Sequence, residues 1–300
     1  MALSPFRTHD RRSFFKYMTA KTAGAVLSSG RLRWSSPLLF NDPFDVPLEL
    51  IYTFTPQEVL RAALTQCIDL IASPPEECSR LTPKLRAIVE AVKAGMEPSS
   101  KAALLKRFQA DVRAATPKGD SLIALANIWR ALVPELRILC LCESASHVAM
   151  WHHYSDQYRG AVLEFDCSDE LDSAWLGATP VTYDEAGNAL ARIETWANLL
   201  VLETGEAVKD LTHLAIHMKS SDWKYEKEWR LLSYMREPEN GLYTDYKFDP
   251  RELRAVYLGP RMAAEDSAAL KALSRLHPTA KVYRTEIGLG PKFTFTSSDA

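Results

Sequence analysis

Trp223-Lys224-Tyr225-Glu226-Lys227-Glu228-Trp229-Arg230 runs straight into Leu231-Leu232-Ser233-Tyr234-Met235, and the reading of this stretch decides the fold. Side chains alternate across a strand with a period of two, so a strand here puts Lys224, Glu226, Glu228 and Arg230 on one face and Tyr225, Trp229 and Leu231 on the other. From Leu231 onward both faces are apolar. That pattern predicts an interior strand with its charged end at the rim of a sheet. Two carboxylates bracketed by two cations at such a mouth can form a chemical site; the same four charges equally suit a solvated strand end held by cross-strand ion pairs.

Upstream of this stretch, residues 188–220 read as a long helical region, and downstream the chain returns to strands at 243–248, 253–259 and 281–287, with a helix at 263–276. At the other end, Phe14-Phe15-Lys16-Tyr17-Met18 reads as a first strand, with Thr19 capping a helix that runs to Ser29 and stops at Gly30. A second strand is expected over Arg31–Trp34. The prolines at 37 and 43 then make Ser35 to Asp45 largely irregular, a loop carrying Asn41, Asp42 and Asp45. Residues 55–134 shift to Ala, Leu, Lys, Arg and Glu at helical spacing. Helices are expected there at 56–72, 83–95, 99–115 and 120–132, an insertion packed on the sheet. Strands follow at Leu136–Cys142, Ala161–Phe165 and Val181–Tyr183, with a short aromatic helix around Met150-Trp151-His152-His153-Tyr154 that Gly160 is expected to close. Residues 1–12 read as a mobile lead-in and 291–300 as a frayed tail.

A chain of 300 residues with 47% hydrophobic and 25% charged content buries a sizeable core, and its formal charge of −2 gives no global footprint for nucleic acid or an anionic membrane. Five irregularly spaced cysteines argue against a disulfide framework and for a reducing cytoplasm. No apolar run reaches membrane-spanning length.

Other constellations carry less. His213 and His217 share a helix face, but Leu214 stands where the zinc-protease pattern needs a Glu. Cys140, Cys142 and Cys167 lack the spacing of a metal site and read as buried thiols, so no metal is expected. There is no Walker loop, no GxGxxG before a helix, no GxSxG and no kinase set. Trp151, His153 and Tyr154 combine flat faces with hydrogen-bonding edges, a surface on which a nucleobase or nicotinamide can stack, although a Trp and a Tyr on a short helix equally suit a core.

Three segments together resemble one family. Lys16-Tyr17 with Ser35-Ser36-Pro37-Leu38-Leu39-Phe40-Asn41-Asp42-Pro43-Phe44-Asp45, then Met150-Trp151-His152-His153-Tyr154 with Gly160, then Trp223 to Arg230, look like the signature of a bacterial domain of unknown function, number twenty-nine seventy-one. A looser resemblance supplies a mechanism. The run from Phe15 to Thr19, the helix exit at Ser29-Gly30-Arg31-Leu32 and the pair Glu226-Lys227-Glu228 are similar to ADP-ribosyltransferases that act on DNA, with Tyr17 at that family's His position, Thr19 at its Thr position and Glu228 at its catalytic acid.

What this resemblance implies is a single α+β domain over 13–290, with a split, mostly antiparallel sheet and an all-helical insertion at about 55–134. It further implies NAD as substrate, with ADP-ribose transferred to a protein or nucleic-acid acceptor or NAD hydrolysed, in a toxin or defence effector. Glu228 and Glu226 would be catalytic. Tyr17, Thr19, Ser35, Asn41, Trp151, His153, Tyr154 and Arg230 would bind the nucleotide. Breaking the nicotinamide–ribose bond develops positive charge on the sugar, which a carboxylate on the ribose hydroxyls stabilises. Two other classes remain open, an enzyme processing nucleic-acid ends and a non-catalytic sensor or interaction module. Glu228→Gln is expected to separate enzyme from module by abolishing activity at little cost in stability.

Overall fold

The computed structural model describes residues 4–50, 52–114, 120–184, 189–236, 240–290 and 292–298. In chain order they form β1 (Ser13–Met18), α1 (Ala20–Ser29), β2 (Arg31–Ser35), α2 (Pro56–Ala72), α3 (Pro83–Lys93), α4 (Pro98–Ala114), α5 (Asp120–Leu132), β3 (Leu136–Cys142), α6 (Val148–Tyr154), β4 (Ala161–Asp166), β5 (Thr179–Pro180), β6 (Thr182–Asp184), α7 (Ile193–Val201), α8 (Thr204–His217), β7 (Met218–Ser220), β8 (Glu228–Tyr234), β9 (Tyr243–Lys247), β10 (Leu253–Leu258), α9 (Ala264–Ser274), β11 (Lys281–Ile287) and β12 (Phe293–Ser297). Two compact units result: one from residues 1–42, 133–183 and 221–300, the other from 43–132 and 184–220.

The first unit is mixed α/β around a ten-stranded sheet ordered β12-β11-β10-β4-β1-β3-β2-β9, with β8 on β3 and β5 on β8. Its described pairs are antiparallel except β10–β11. β8 pairs β3 along its whole length, so β1, meeting β3 at Cys142, and β2, meeting it at Ile138, must share the other edge. The sheet is therefore split there, with α1 joining the two branches. Local chemistry sets that joint: Thr19 accepts the Thr22 N–H to start α1, and Gly30 takes the left-handed conformation, φ 62, that ends it. Phe14, Leu139, Leu163, Phe165 and Val256 fill one face of the sheet as its main core.

Four expectations are corrected. Trp223 to Glu226 do not extend the strand: Ser221–Glu226 is a 3-10 turn, Lys227 has φ 45, and β8 begins at Glu228. The cause is the ladder, because Glu228 pairs with Cys142, the last residue of β3, and among the described residues no strand of the sheet pairs with the stretch before Glu228. Burial along β8 is also reversed, since Glu228 and Arg230 are buried while Leu232 and Tyr234 are exposed. The helix α6 ends at Tyr154 rather than at Gly160; Asp156, Gln157 and Tyr158 follow with φ of 47, 51 and 73. Gly160 is needed instead for want of a side chain, because a Cβ there would lie 2.1 Å from the Met18 carbonyl oxygen. Lastly, the lead-in and tail are tied down where they are described. Arg7 pairs with Asp169 at 2.6 Å, Thr8 donates its N–H to the Leu176 carbonyl at 2.8 Å, and β12 pairs with β11.

The second unit is built of helices α2, α3, α4, α5, α7 and α8 and also draws in residues 184–220, so it is larger than an insertion at 55–134. Thr55 and Glu58 close a capping box on α2 with Pro56 in its first turn. Ala63, Cys67, Ile71, Leu85, Val89 and Val201 form its core, joined by a bridge between Leu81 and Leu202. His213 and His217 stack with ring centroids 4.4 Å apart. Among the described residues, no helix is long and apolar enough to cross a membrane, and no group of three or more His, Cys, Asp or Glu is placed to hold a metal ion.

Candidate functional site

The site lies on the second face of the split sheet, within the first unit. Directly paired residues of neighbouring strands point to the same side, and the registers Glu164↔Phe15, Phe15↔Cys142 and Cys142↔Glu228 place these four in one row across β4, β1, β3 and β8. Over this face sits a second cluster of Tyr17, Cys142, Ala145, Met150, Trp151 and Val162, with Tyr154, Tyr158 and Tyr225 packed against it.

Both acids of the opening stretch are buried, Glu226 at 2% and Glu228 at 4% exposure. Lys227, between them with its left-handed φ, breaks the alternation of a strand. Tyr154 donates its hydroxyl to Glu226 Oε1 at 2.7 Å. Arg230 donates Nε to Glu228 Oε1 at 2.7 Å and Nη2 to Oε2 at 3.2 Å, with both side chains almost wholly out of water. This is the fork geometry that holds a carboxylate oriented as well as charged. The Glu228 N–H goes to the Tyr183 hydroxyl at 2.8 Å. On β3, Arg230 faces Cys140 and Glu228 faces Cys142. Burial first, and the Glu228 charge next, push both thiols well up, so they stay protonated beside the pair.

The remaining expected residues divide into two groups. Tyr17, Trp151, Tyr154 and His153 gather at the site. Tyr17 is buried, donates to the Ser144 carbonyl at 2.8 Å and accepts the His147 N–H at 3.1 Å. Burial pushes its phenol up, so it remains neutral. Trp151 has no exposed surface, donates Nε1–H to the Ala145 carbonyl at 2.7 Å and meets Tyr17 edge-on at 5.6 Å. Its faces are filled by the core, so in this conformation it anchors α6 rather than offering a stacking surface. His153 is exposed and lies 6.4 Å from the ring of Tyr225, which in turn lies 6.0 Å from that of Trp223. Of the three rings expected to form a stacking surface, Trp151, His153 and Tyr154, only His153 is exposed, and it lies beside the partly open Tyr225 and Trp223. In the other group, Thr19 is an exposed helix cap, Ser35 ends β2 opposite Ile138 and Tyr243, and Asn41 is exposed in the following loop. None of these three is placed at the acids by a described contact.

Geometry adds two residues that pattern reading missed. Tyr183 binds the Glu228 backbone. His147 precedes α6 with its Nε2 buried and without a hydrogen-bond partner; burial, then the Lys227 charge, lower its pKa and favour the neutral ring. Only His147 left a signal, a His at the position preceding an aromatic helix.

A family model described as "Protein of unknown function (DUF2971)" matches residues 150–231, from α6 through the first half of β8. That span contains Trp151, Tyr154, Glu226, Glu228 and Arg230. No curated protein and no solved structure matches, so the resemblance to ADP-ribosyltransferases rests on the short motifs alone.

Proposed function

Starting from this family of unknown function and the buried acids within its matched segment, we propose that the chain binds NAD and either transfers ADP-ribose or hydrolyses NAD. The observation that carries the reading is Glu228, a carboxylate removed from water yet held by the two-point grip of Arg230. Arg230 orients the carboxylate, and in this reading Glu228 hydrogen-bonds the ribose hydroxyls of the bound nucleotide. In this reading the glycosidic C–N bond breaks with its electron pair leaving on nicotinamide. Water, or a nucleophile of the acceptor, forms the new bond at the same ribose carbon, and its proton passes to Glu226 and on to solvent. Glu228 stabilises the positive charge that develops on the sugar, a contribution that grows when water is excluded. His153, Tyr225 and Trp223 supply rings for stacking, and exposed Lys224 and Lys227 stand at the rim for the phosphates. A toxin or defence role, in which NAD is depleted or a macromolecule modified, belongs to this reading.

Incubation of the purified chain with NAD, followed by nicotinamide release and a thermal-shift titration, tests the proposal. Release, or a rise in melting temperature that saturates with NAD, is expected. Folded protein that shows neither sinks it.

A second reading is favoured by one specific observation. The hydroxyl of Tyr17 and both oxygens of Glu228 already have partners within the protein. A self-satisfied network of this kind suits a non-catalytic module in which the pair fixes the start of β8, with function carried by the exposed rings. Failure of every NAD assay alongside an intact fold would leave this reading standing.

A further inference from the structure

β10, α9 and β11 make a strand–helix–strand unit around the parallel pair of the sheet, with Val256 facing Val282 and Leu258 facing Arg284. In such a unit the crossover helix begins beyond the carboxyl end of the first strand, and the crevice there is where open α/β sheets take their ligands. Here the crevice is a hollow of about 390 Å³. Its polar lining comes from all the elements around it: Lys271 and Ser267 from α9, Arg284 from β11 and Ser298 just past β12, with Gly259 at its base.

Among the described residues, neither Lys271 nor Arg284 forms an ion pair. Two cations without carboxylate partners on one small hollow favour an anion. The first turn of α9 agrees, since Ala263 at its cap position offers no side-chain acceptor to the opening N–H groups. Glu265 and Asp266 in that turn are exposed and do not line the hollow. The base is fixed: a Cβ on Gly259 would lie 2.2 Å from the Tyr158 carbonyl oxygen and 2.6 Å from that of Gly160, so the backbone there is held against the turn that follows α6.

We propose that this hollow is a binding site for a phosphate-bearing small molecule. The planar guanidinium of Arg284 takes phosphate oxygens two at a time, Lys271 adds a point charge, and Ser267 and Ser298 donate hydroxyls. Its volume falls in the range of small-ligand pockets, roughly 300–1,000 Å³. There is room for a group attached to the phosphate, which makes the ligand a phosphorylated metabolite rather than a bare ion. This site is separate from Glu228 and stands whether or not NAD binds there.

Titration of the full chain with inorganic pyrophosphate, read by the amide signals of Gly259, Ser267 and Ser298, tests it. Saturable shifts are expected, weakened about tenfold or more by Arg284→Gln or Lys271→Gln, the loss of one charge-assisted contact. Arg284 is exposed and Lys271 partly so, and the unfolding midpoint of each variant, measured in parallel, is expected to stay at the parent value. Acetate serves as the second probe. Equal saturation by acetate would overturn the phosphate assignment. Absence of saturation, or saturation that both variants leave unchanged, would overturn the site.

Discussion

Replacing Glu228 by Gln tests the centre of the molecule, and the structure changes what that replacement should do. Arg230 has no exposed side-chain surface and Glu228 only 4%, and the two meet at 2.7 and 3.2 Å. Removing one charge of such a pair strands the other in a poorly solvating interior, which costs about 3–5 kcal/mol. Gln keeps the shape and one acceptor, so the lower end applies, about 3 kcal/mol, or a shift of roughly a hundredfold in the folding constant. The cost falls on the β3–β8 ladder, because these two residues face Cys142 and Cys140. Hydrogen exchange at Leu139 and Leu231, the next ladder pair, reports it without treating two units as one transition. The single variant therefore cannot separate enzyme from module by stability, as sequence reasoning expected. Glu228→Leu combined with Arg230→Met does so: with both charges gone, most of the protection should return. An enzyme would still release no nicotinamide. Protection changed by less than about 0.5 kcal/mol in Glu228→Gln would show that the pair is solvated, and the reasoning from burial would fall.

Three further predictions follow from local geometry. Gly160→Ala puts a Cβ at 2.1 Å from the Met18 carbonyl oxygen and 3.0 Å from the Ser155 Cα, so β1 and β4 must part; a loss of about 3 kcal/mol is expected in urea unfolding, and a loss under about 1 would refute the close approach. Gln157, exposed with φ 51, pays for a left-handed conformation that Gly adopts freely, so Gln157→Gly should stabilise by about 0.5–1 kcal/mol after the unfolded-chain entropy is subtracted, with a lowered melting temperature as the contrary result. The Arg7 hydrogen bond holds the Asp169 carboxyl down at about 2. Its folded-state pKa is thus depressed: the tie is fully present above the ordinary Asp value of about 3.9 and is lost as pH falls through about 2. Exchange at the Thr8 amide should rise across that window and already be fast at neutral pH in Arg7→Ala.

What could be read in the sequence is what short-range chemistry decides. Thr19 and Gly30 bracket α1, and Thr55-Pro56 opens α2, because caps act within one turn of chain. The positions of β1, β2, β3, β4, β10 and β11 were likewise legible from residue pattern, whereas the split of the sheet was expected only from a family resemblance, and β12 fell in what read as a frayed tail. The start of β8 was not, since it is fixed by where β3 stops, 86 residues away by the register of Cys142 and Glu228. Nor were the contacts of Arg7 with Asp169, 162 residues apart, or the recruitment of residues 184–220 into the helical unit.

The turn after α6 escaped for a different reason. Left-handed backbone is announced by Gly or Asn, and here Asp156, Gln157 and Tyr158 hold it in succession. Their conformation is imposed from outside, by Gly160 seated on Met18 and by Gly259 seated on Tyr158. The same rule accounts for the acids. Periodicity placed Glu226 and Glu228 on one face as equals and put them at the rim, yet Lys227 between them is left-handed, Tyr154 bonds Glu226, Arg230 bonds Glu228, and both acids are buried. A charged strand end normally stays in water because burial costs more than a single contact returns. Here an aromatic cluster packs beside it, and hydrogen bonds from Tyr154 to Glu226 and from Arg230 to Glu228 offset the cost of burial. Whatever ligand the site takes must add to those partnerships without displacing Arg230, for a substrate that pulled Arg230 from Glu228 would first have to meet the cost of the stranded charge. That requirement favours a neutral hydroxyl-bearing group at Glu228, as a ribose presents, over an anion placed directly against it.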